Sequence, residues 1–287
     1  MIALSNGHRF EYMVASGALA FDGRGWLWEW PLRWLGFLDP MLFTIVAKTV
    51  ARKPRAGNLR WSKPFGCVRL LKGGAVNSVG MTNPGIEWWI RVAAARAKRF
   101  GYAIVGSIAS EDINELGEMA AMMNDANLVA LEFNPSSPNF NLALTKQVEY
   151  VVEGCRTIKE KTKFPLLLKL SVAHDYKQIA RETEDIVEAI GINSVPWSMA
   201  FPMQKSPLAH LGGGGVSGKI AQVWTWKMLA DLAAATKTPI IGPSVWEYRD
   251  IENLRGLGAK AISFGTIFMR YPWRPTAFVR REVRSRN

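Results

Sequence analysis

Residues 128–139 read LVALEFNPSSPN, a short apolar run that stops at Asn134 and gives way to a polar turn. Seven more runs of similar length occur along the chain. Most are continuously apolar, as expected of strands that are buried on both faces. The eight runs span residues 12–15, 43–47, 102–105, 128–133, 165–170, 191–195, 239–241 and 261–264.

Longer segments with apolar residues at helical spacing separate these runs. The predicted helices span residues 86–100, 111–124, 147–161, 176–189, 219–235 and 247–257. Buried strands that alternate with helices predict an α/β fold, a closed (β/α)8 TIM barrel. The alternative is an open doubly wound sheet. However, Gly23-Arg24-Gly25 is followed by Trp26-Leu27-Trp28, without the third glycine of that fold's nucleotide-binding turn.

Length and composition limit the class of protein. The chain has 287 residues, 48% of them hydrophobic, which excludes a disordered chain and suits a single barrel domain over residues 1–287. The net charge of +12 permits contact with nucleic acid or a membrane surface. Two cysteines, Cys67 and Cys155, are too few for a disulfide framework, a four-cysteine zinc site or an iron–sulfur cluster.

Two segments stand apart from the strand–helix alternation. Residues 21–42 form a Trp-rich insertion that holds four of the 12 tryptophans, and Glu29, Arg33 and Asp39 make it a poor membrane-spanning segment. It is predicted either to cover one end of the core or to lie at a membrane interface or partner surface. Residues 50–82 are rich in proline and glycine and are predicted to be a long decorated loop after the second strand, with room for a hairpin. No signal peptide is predicted.

The residues that follow the strands are mostly polar, and in a barrel they meet on one face. They are Ser16, Lys48, Thr49, Ser107, Asn134, Lys169, Ser171, Asn193, Ser194, Gly242, Gly265 and Thr266. This set holds no His or Cys, and the nearest carboxylate is Glu132, which argues against a metal site, a paired-carboxylate hydrolase and a Ser-His-Asp triad. Lysines and amides suit an anionic substrate with carbonyl and amide groups. The glycine-rich residues 212–218 predict a phosphate site together with Gly242 and Gly265.

Eight segments, in this order, resemble the dihydroorotate dehydrogenase family of FMN-dependent (β/α)8 barrels. They are Ala15-Ser16-Gly17, Lys48-Thr49, residues 77–85 (NSVGMTNPG), residues 134–139 (NPSSPN), Lys169-Leu170-Ser171, Asn193-Ser194, residues 214–218 (GGVSG) and residues 263–266 (SFGT). The resemblance implies an oxidoreductase, a flavoprotein that converts dihydroorotate to orotate in pyrimidine (UMP) biosynthesis.

The resemblance also implies roles for individual residues. Substrate contacts are implied for Lys48, Asn77, Gly80, Met81, Asn134, Asn139, Asn193 and Ser194. FMN contacts are implied for Ala15, Ser16, Lys48, Thr49, Asn134, Lys169, Asn193, Ser217, Gly218, Gly242, Ser244, Gly265 and Thr266. Lys169 matches a lysine at the flavin's pyrimidine edge, where a fixed cation would stabilise negative charge.

Ser137 matches the family's general base, which is either Cys or Ser, and serine resembles the branch that uses quinones. The implied reaction removes a proton from C5 of dihydroorotate and passes hydride from C6 to flavin N5, with Lys48 close to both. Because a serine is a poor base alone, Thr49 or a water is expected to relay the proton. Electrons are expected to pass to a quinone or to another acceptor such as fumarate. An NAD-linked form would need a separate iron–sulfur partner.

Two departures from the family pattern bear on the cofactor and the substrate. In Gly242-Pro243-Ser244-Val245, Pro243 has no N–H, Val245 resists a positive φ, and Ser244 could offer a hydroxyl to a phosphate instead. The loop after Asn139 is shorter than the family's active-site lid.

Two other functions and several properties of the assembly stay open on the sequence. The alternatives are a flavin oxidoreductase acting on another cyclic amide, and a cofactor-free barrel that binds an anionic ligand. The Arg-rich residues 270–287 are interpreted as a solvated helix face, and no nucleic acid is expected. A cytoplasmic protein is expected, with peripheral contact at the inner face of a membrane and homodimerisation both open.

Overall fold

The computed structural model describes residues 1–60, 62–63, 66–136 and 144–286. In this part of the chain, eight parallel strands form one sheet, and we number them as the first to eighth barrel strands. They are Tyr12–Val14, Thr44–Val46, Ala103–Ile108, Ala130–Phe133, Leu166–Leu170, Ala189–Ile192, Ile241–Gly242 and Ala261–Phe264. Consecutive strands pair from the first to the sixth, the eighth strand pairs with the first, and the seventh with the eighth. A parallel bridge between Ile190 and Ile240 joins the two edges. The predicted α/β barrel is confirmed.

Helices surround the strands. The α-helices are Trp30–Trp34, Ile86–Trp88, Ala95–Arg99, Ile113–Met123, Leu144–Lys161, Tyr176–Glu182, Trp197–Ala200, Gln222–Ala235, Asp250–Gly256, Ile267–Arg270 and Arg274–Arg286. A π-helical segment, Trp89–Ala94, joins the second and third of these. Short 3-10 helices are Leu27–Glu29, Pro40–Leu42, Ala209–Leu211 and Lys219–Ala221.

The predicted sixth strand and the helix before it were displaced along the chain. The helix expected over residues 176–189 ends at Glu182, where the buried Thr183 turns its hydroxyl back to the Ile179 carbonyl oxygen at 2.8 Å. The strand expected over residues 191–195 is Ala189–Ile192 instead. The chain leaves the barrel at Asn193, and Val195–Pro196 joins a different sheet.

That second sheet has four antiparallel strands and lies beyond the carboxyl end of the barrel. Residues 50–82 contain a hairpin, Val68–Leu71 with Gly74–Asn77. Gly215–Gly218 pairs with the inner strand of the hairpin, and Val195–Pro196 pairs with Gly215–Gly218. The sheet therefore joins the segments that follow the second and sixth barrel strands.

The inside of the barrel changes from apolar to polar along the strands. Its apolar core contains Met13, Val46, Val105, Ala130, Leu167, Ala189, Ile241 and Ala261. Side chains of a strand alternate between its faces, so the residue two positions after each of these also points inward. Those positions hold Lys48, Ser107, Glu132 and Lys169 on four strands. This polar layer is the floor of the site.

The Trp-rich insertion packs against the C-terminal helix. The backbone N–H of Asp39 donates to Thr276 Oγ1 at 2.9 Å, and Arg280 donates to the Gly36 carbonyl oxygen at 2.9 Å. Part of the insertion faces outward, and we call its exposed apolar side chains the apolar ridge. They are Leu27, Trp28, Trp34, Leu35, Phe37 and Met41.

Candidate active site

A cleft of about 1550 Å³ opens over the polar floor at the carboxyl ends of the barrel strands. It brings together most of the residues that the sequence nominated. These are Ala15, Ser16, Lys48, Thr49, Asn77, Gly80, Met81, Asn134, Lys169, Asn193, Ser194, Ser217, Gly218, Ser244, Gly265 and Thr266. Ser137 and Asn139 lie outside the described residues.

Gly242 has a different environment from the other nominated residues. It packs against an outer helix, where an added Cβ would lie 2.9 Å from the Cβ of Ala259 and 3.2 Å from that of Leu254. The glycine is therefore required for close helix packing, and the structure does not place it among the residues lining the cleft.

Hydroxyl and amide groups on the cleft floor bond to one another. Asn134 Nδ2 donates to Thr49 Oγ1 at 3.0 Å, and Thr49 Oγ1 lies 2.8 Å from Ser107 Oγ. Ser107 in turn donates to Glu132 Oε1 at 2.7 Å. Ser16 Oγ lies 3.0 Å from Thr49 Oγ1, which ties the end of the first strand to the second.

Ser136 joins two of the asparagines that line the cleft, Asn134 and Asn193. Its hydroxyl donates to Asn134 Oδ1 at 2.6 Å and accepts from Asn193 Nδ2 at 2.6 Å. Ser136 was not among the nominated residues, because its partner Asn193 lies 57 residues away and nothing local links the two.

Two lysines supply positive charge to the floor. Lys169 is 9% exposed, and Lys48 is half-buried beside it. Burial lowers the pKa of Lys48 to about 8, with Cys67 opposing the shift and Lys169 adding to it. The Phe21 ring centroid lies 6.0 Å from Lys48 Nζ. An anionic ligand would relieve the repulsion between these ammonium groups.

The turn at Gly80 and Met81 holds two consecutive residues at positive φ, 65° and 53°. Positive φ is strained for a bulky residue such as Met81. The buried Asn83 holds the turn, since its Nδ2 donates to the Met81 carbonyl oxygen at 2.6 Å and its Oδ1 accepts from the Gly85 N–H at 2.9 Å. A tight turn of this kind can direct successive backbone N–H groups into one concave site, which suits a carboxylate.

The opposite end of the cleft contains the residues nominated for a phosphate. Thr266 Oγ1 donates to Ser217 Oγ at 2.6 Å. Gly218 has φ 93°, and a Cβ there would lie 2.8 Å from the Gly73 carbonyl oxygen, so only glycine fits. The strain expected at Val245 does not arise, because Ser244 takes the positive φ, 63°, and Val245 is buried.

Several other side chains line the cleft without having been nominated. Trp26 and Trp28 stack at 5.5 Å between ring centroids, and Trp26 Nε1 donates to the Gly17 carbonyl oxygen at 3.1 Å. Beside them, burial raises the pKa of Glu29 to about 8, while a hydrogen bond from the Trp26 N–H opposes the shift. Burial also lowers the pKa of His174 to about 4, so its imidazole is neutral at pH 7. The aromatic content of residues 21–42 was the signal for the first two.

The residues present fit FMN. Buried Lys169 supplies a cation, Ser217 and Thr266 supply hydroxyls, and Gly218 leaves room for a close backbone approach. Among the described residues, no group of three or more His, Cys, Asp or Glu side chains could hold a metal ion.

A cationic, hydrogen-bonding cleft at the carboxyl ends of eight parallel barrel strands is the arrangement typical of a barrel enzyme. The sequence profile described as "Dihydroorotate dehydrogenase" matches residues 35–271. The chain belongs to the dihydroorotate dehydrogenase family, which consists of flavin-dependent oxidoreductases whose cofactor is FMN.

Named relatives and a solved structure are also similar to the chain. The catalytic subunit of dihydroorotate dehydrogenase B (NAD(+)) from Desulforudis audaxviator is 29% identical over 233 residues, covering 78% of this chain and 74% of the relative. The same subunit from Geobacillus kaustophilus is 27% identical over 263 residues, covering 88% of this chain and 80% of the relative. The structure of ligand-free type DHODH from Eimeria tenella superposes with a TM-score of 0.62 at 17% identity, covering 82% of this chain and 75% of that one. This similarity supports the barrel fold.

Proposed function

We propose that this chain oxidises dihydroorotate to orotate with FMN as its cofactor. The observation that carries the proposal is the convergence of Lys48, Asn134 and Asn193 on one cleft floor beside Lys169. Lysine and asparagine together offer a cation for the substrate's carboxylate, and donors and acceptors for its ring amides. FMN, when bound, supplies the acceptor for the hydride that leaves the substrate.

The chain's own residues bind the substrate and move its proton. Lys48, Asn77, Asn134, Asn139 and Asn193 orient the ring, and the Gly80–Met81 turn receives its carboxylate. Ser137 takes the proton, and Thr49 is the group proposed to pass it on, since its hydroxyl already lies within hydrogen-bonding distance of three other side chains. Lys169, Ser217, Gly218, Ser244, Gly265 and Thr266 hold the cofactor.

The test of this function is a colour change. Protein purified with FMN is mixed with dihydroorotate without oxygen, and absorbance near the flavin's visible band is followed. Loss of the yellow colour with release of orotate supports the proposal. A yellow protein that keeps its colour with dihydroorotate, but loses it with another cyclic amide, would favour the related oxidoreductase. A protein that binds no FMN would favour the cofactor-free barrel.

Two observations point to different electron acceptors. The serine at position 137 resembles the quinone branch, and Trp26 and Trp28 give the cleft an aromatic edge that suits a flat ring. The relatives' names include NAD(+) and the words catalytic subunit, which favours NAD as the acceptor and a second subunit as a partner of this chain. We propose a quinone as the acceptor. Reoxidation of the reduced protein by a soluble quinone, by fumarate and by NAD, each alone, distinguishes the candidates.

We also propose that the apolar ridge contacts an anionic membrane surface. Trp, Leu and Phe side chains that are exposed beside arginines are typical of interfacial segments. Within the insertion, Asp22 pairs with Arg24, Asp39 pairs with Arg280, and Glu29 is buried. Each of the three carboxylates of residues 21–42 is thus paired with an arginine or buried, and the ridge presents apolar side chains to its surroundings. In the described part of the chain, no helix has the length and hydropathy to cross a bilayer. A second copy of the chain is the competing occupant.

A further inference from the structure

A continuous chain of side-chain hydrogen bonds runs from the buried Glu132 to Asn134 and Asn193, two of the asparagines that line the cleft. Glu132 is 7% exposed and pairs with Ser107 across the third and fourth barrel strands. A carboxylate can only accept hydrogen bonds, so the Ser107 hydroxyl donates to Glu132 Oε1, over 2.7 Å. That hydrogen is then unavailable to any other partner.

The direction of every later bond follows from this first one. Because a hydroxyl has one hydrogen, Thr49 must donate to Ser107 across 2.8 Å, and Thr49 Oγ1 then accepts from Asn134 Nδ2 at 3.0 Å. Asn134 therefore turns its Oδ1 to the other side, where Ser136 donates to it at 2.6 Å. Ser136 Oγ, its hydrogen used, accepts from Asn193 Nδ2 at 2.6 Å.

We propose that Glu132 is a positioning residue that fixes which way the side-chain amides of Asn134 and Asn193 point. It acts through Ser107, Thr49 and Ser136, without touching the ligand. Asn134 is left with one N–H and one lone pair for a ligand. Asn193 is left with its Oδ1, since its Nδ2 also donates to the Ser136 carbonyl oxygen at 3.4 Å. The arrangement selects a ring whose donors and acceptors match this pattern. In naming orotate as that ring, the inference rests on the proposed function.

Glu132→Gln tests the direction of the chain. A glutamine keeps the size of the side chain but can donate to Ser107, which lets every bond reverse and both asparagine amides rotate. Ser107→Ala interrupts the same chain while leaving Glu132 in place. It also serves as the second variant if Glu132→Gln fails to fold. Amides that are reversed in Glu132→Gln, or no longer held in Ser107→Ala, stop presenting the matching groups to the ring. We therefore expect orotate affinity to fall by about ten- to hundredfold in either variant.

Two measurements read out the effect. The first uses protein labelled with ¹⁵N in asparagine, in which NMR follows the side-chain amide signals of Asn134 and Asn193 without any ligand. We expect both pairs of signals to move in both variants. The second is calorimetric titration of the FMN-loaded protein with orotate. Glu282→Gln is the matched control, a buried glutamate paired with Arg255 at 2.6 Å, far along the chain from the cleft loops. It should lower Tm and leave the amide signals and the orotate affinity unchanged.

The outcomes separate three cases. Unchanged amide signals and affinity in both variants would overturn the inference. A loss of orotate affinity in Glu132→Gln that Ser107→Ala does not reproduce would also overturn it, since the carboxylate would then act directly through its charge. If wild-type protein does not bind orotate, the proposed function fails, while the amide signals still decide whether Glu132 orients the asparagines.

Discussion

Asn193 Nδ2 lies 2.6 Å from Ser136 Oγ, so the loops after the sixth and fourth barrel strands are held together by a direct hydrogen bond. Ser136→Ala removes this bond and the one to Asn134 at the same time. We expect orotate to bind about tenfold more weakly, because the two amides proposed to contact the ligand lose their fixed orientation. Calorimetric titration measures the change. Ser5→Ala is the control, since Ser5 bonds Glu188 away from the cleft. Equal losses of orotate affinity in Ser136→Ala and Ser5→Ala would show that Ser136 does not orient the two amides.

Ser137→Ala is expected to slow reduction of bound FMN by dihydroorotate by about 10²- to 10⁴-fold, because proton removal loses its base. Orotate affinity should change little, since the substitution leaves the proposed ring contacts in place. Single-turnover stopped-flow absorbance gives the rate, and titration gives the affinity. A variant that reduces FMN at the wild-type rate would show that another group is the base.

The lowered pKa of Lys48 makes folding stability depend on pH. The folded protein holds this ammonium with a pKa of about 8, against an ordinary value of 10.5. Burying the charged ammonium therefore lowers the free energy of unfolding fully below pH 8, and this destabilisation disappears as pH rises towards 10.5. We expect cofactor-free Lys48→Met to have a higher Tm than wild type at pH 7, with the difference shrinking between pH 8 and 10.5. A Tm difference between the variant and wild type that does not vary with pH would show that the buried charge of Lys48 is not its cause.

Glu29 should have the opposite pH dependence. Its pKa rises from 4.5 to about 8 on folding, so wild-type stability falls as pH increases across that interval. Glu29→Gln can still accept the hydrogen bond from the Trp26 N–H and has no proton to lose. The variant should match wild type in Tm near pH 4 and exceed it by a growing margin up to pH 8. Thermal unfolding at several pH values measures the margin, and equal Tm values at pH 8 would refute the expectation.

The apolar ridge predicts binding to anionic vesicles. Wild-type protein should sediment with vesicles that contain phosphatidylglycerol, and much less with pure phosphatidylcholine. Its tryptophan emission should shift to shorter wavelength on binding, because Trp34 is 70% exposed in the free protein. Replacing Trp34 and Phe37 by serine should abolish both effects.

The control for the ridge is Met203→Ser, which changes an apolar side chain exposed to 94% in the loop before Ala209–Leu211. This variant should bind vesicles as wild type does. Vesicle-independent dimerisation that the Trp34 and Phe37 substitutions abolish would instead assign the ridge to a second copy of the chain.

The barrel could be predicted because its signal is local. Most strands are short, largely apolar runs such as Tyr12–Val14, and burial on both faces accounts for that composition without reference to distant residues. The sixth strand was misplaced for the same reason. Apolar residues continue from Ala189 to Pro196 on both sides of Asn193-Ser194, and nothing local shows that the chain changes sheets there.

The site was predictable as a set of residues but not as a network. Lysines and asparagines at strand ends can be read from the sequence. By contrast, the roles of Ser107 and Ser136 depend on pairings between strands and loops that only the folded chain brings together. Within Gly242-Pro243-Ser244-Val245, the positive φ falls on Ser244 while Val245 is buried in the core, and the local sequence alone does not show which residue takes that conformation.

The four-stranded antiparallel sheet has an evolutionary consequence. Ala75 and Ser217 are register partners although they are 142 residues apart, and Gly74–Asn77 pairs with strands on both sides. An insertion or deletion in any of these strands shifts the register of its neighbours. Lengths and small residues in the two segments should therefore co-vary among natural sequences, and a chimera that exchanges one segment alone should assemble this sheet out of register.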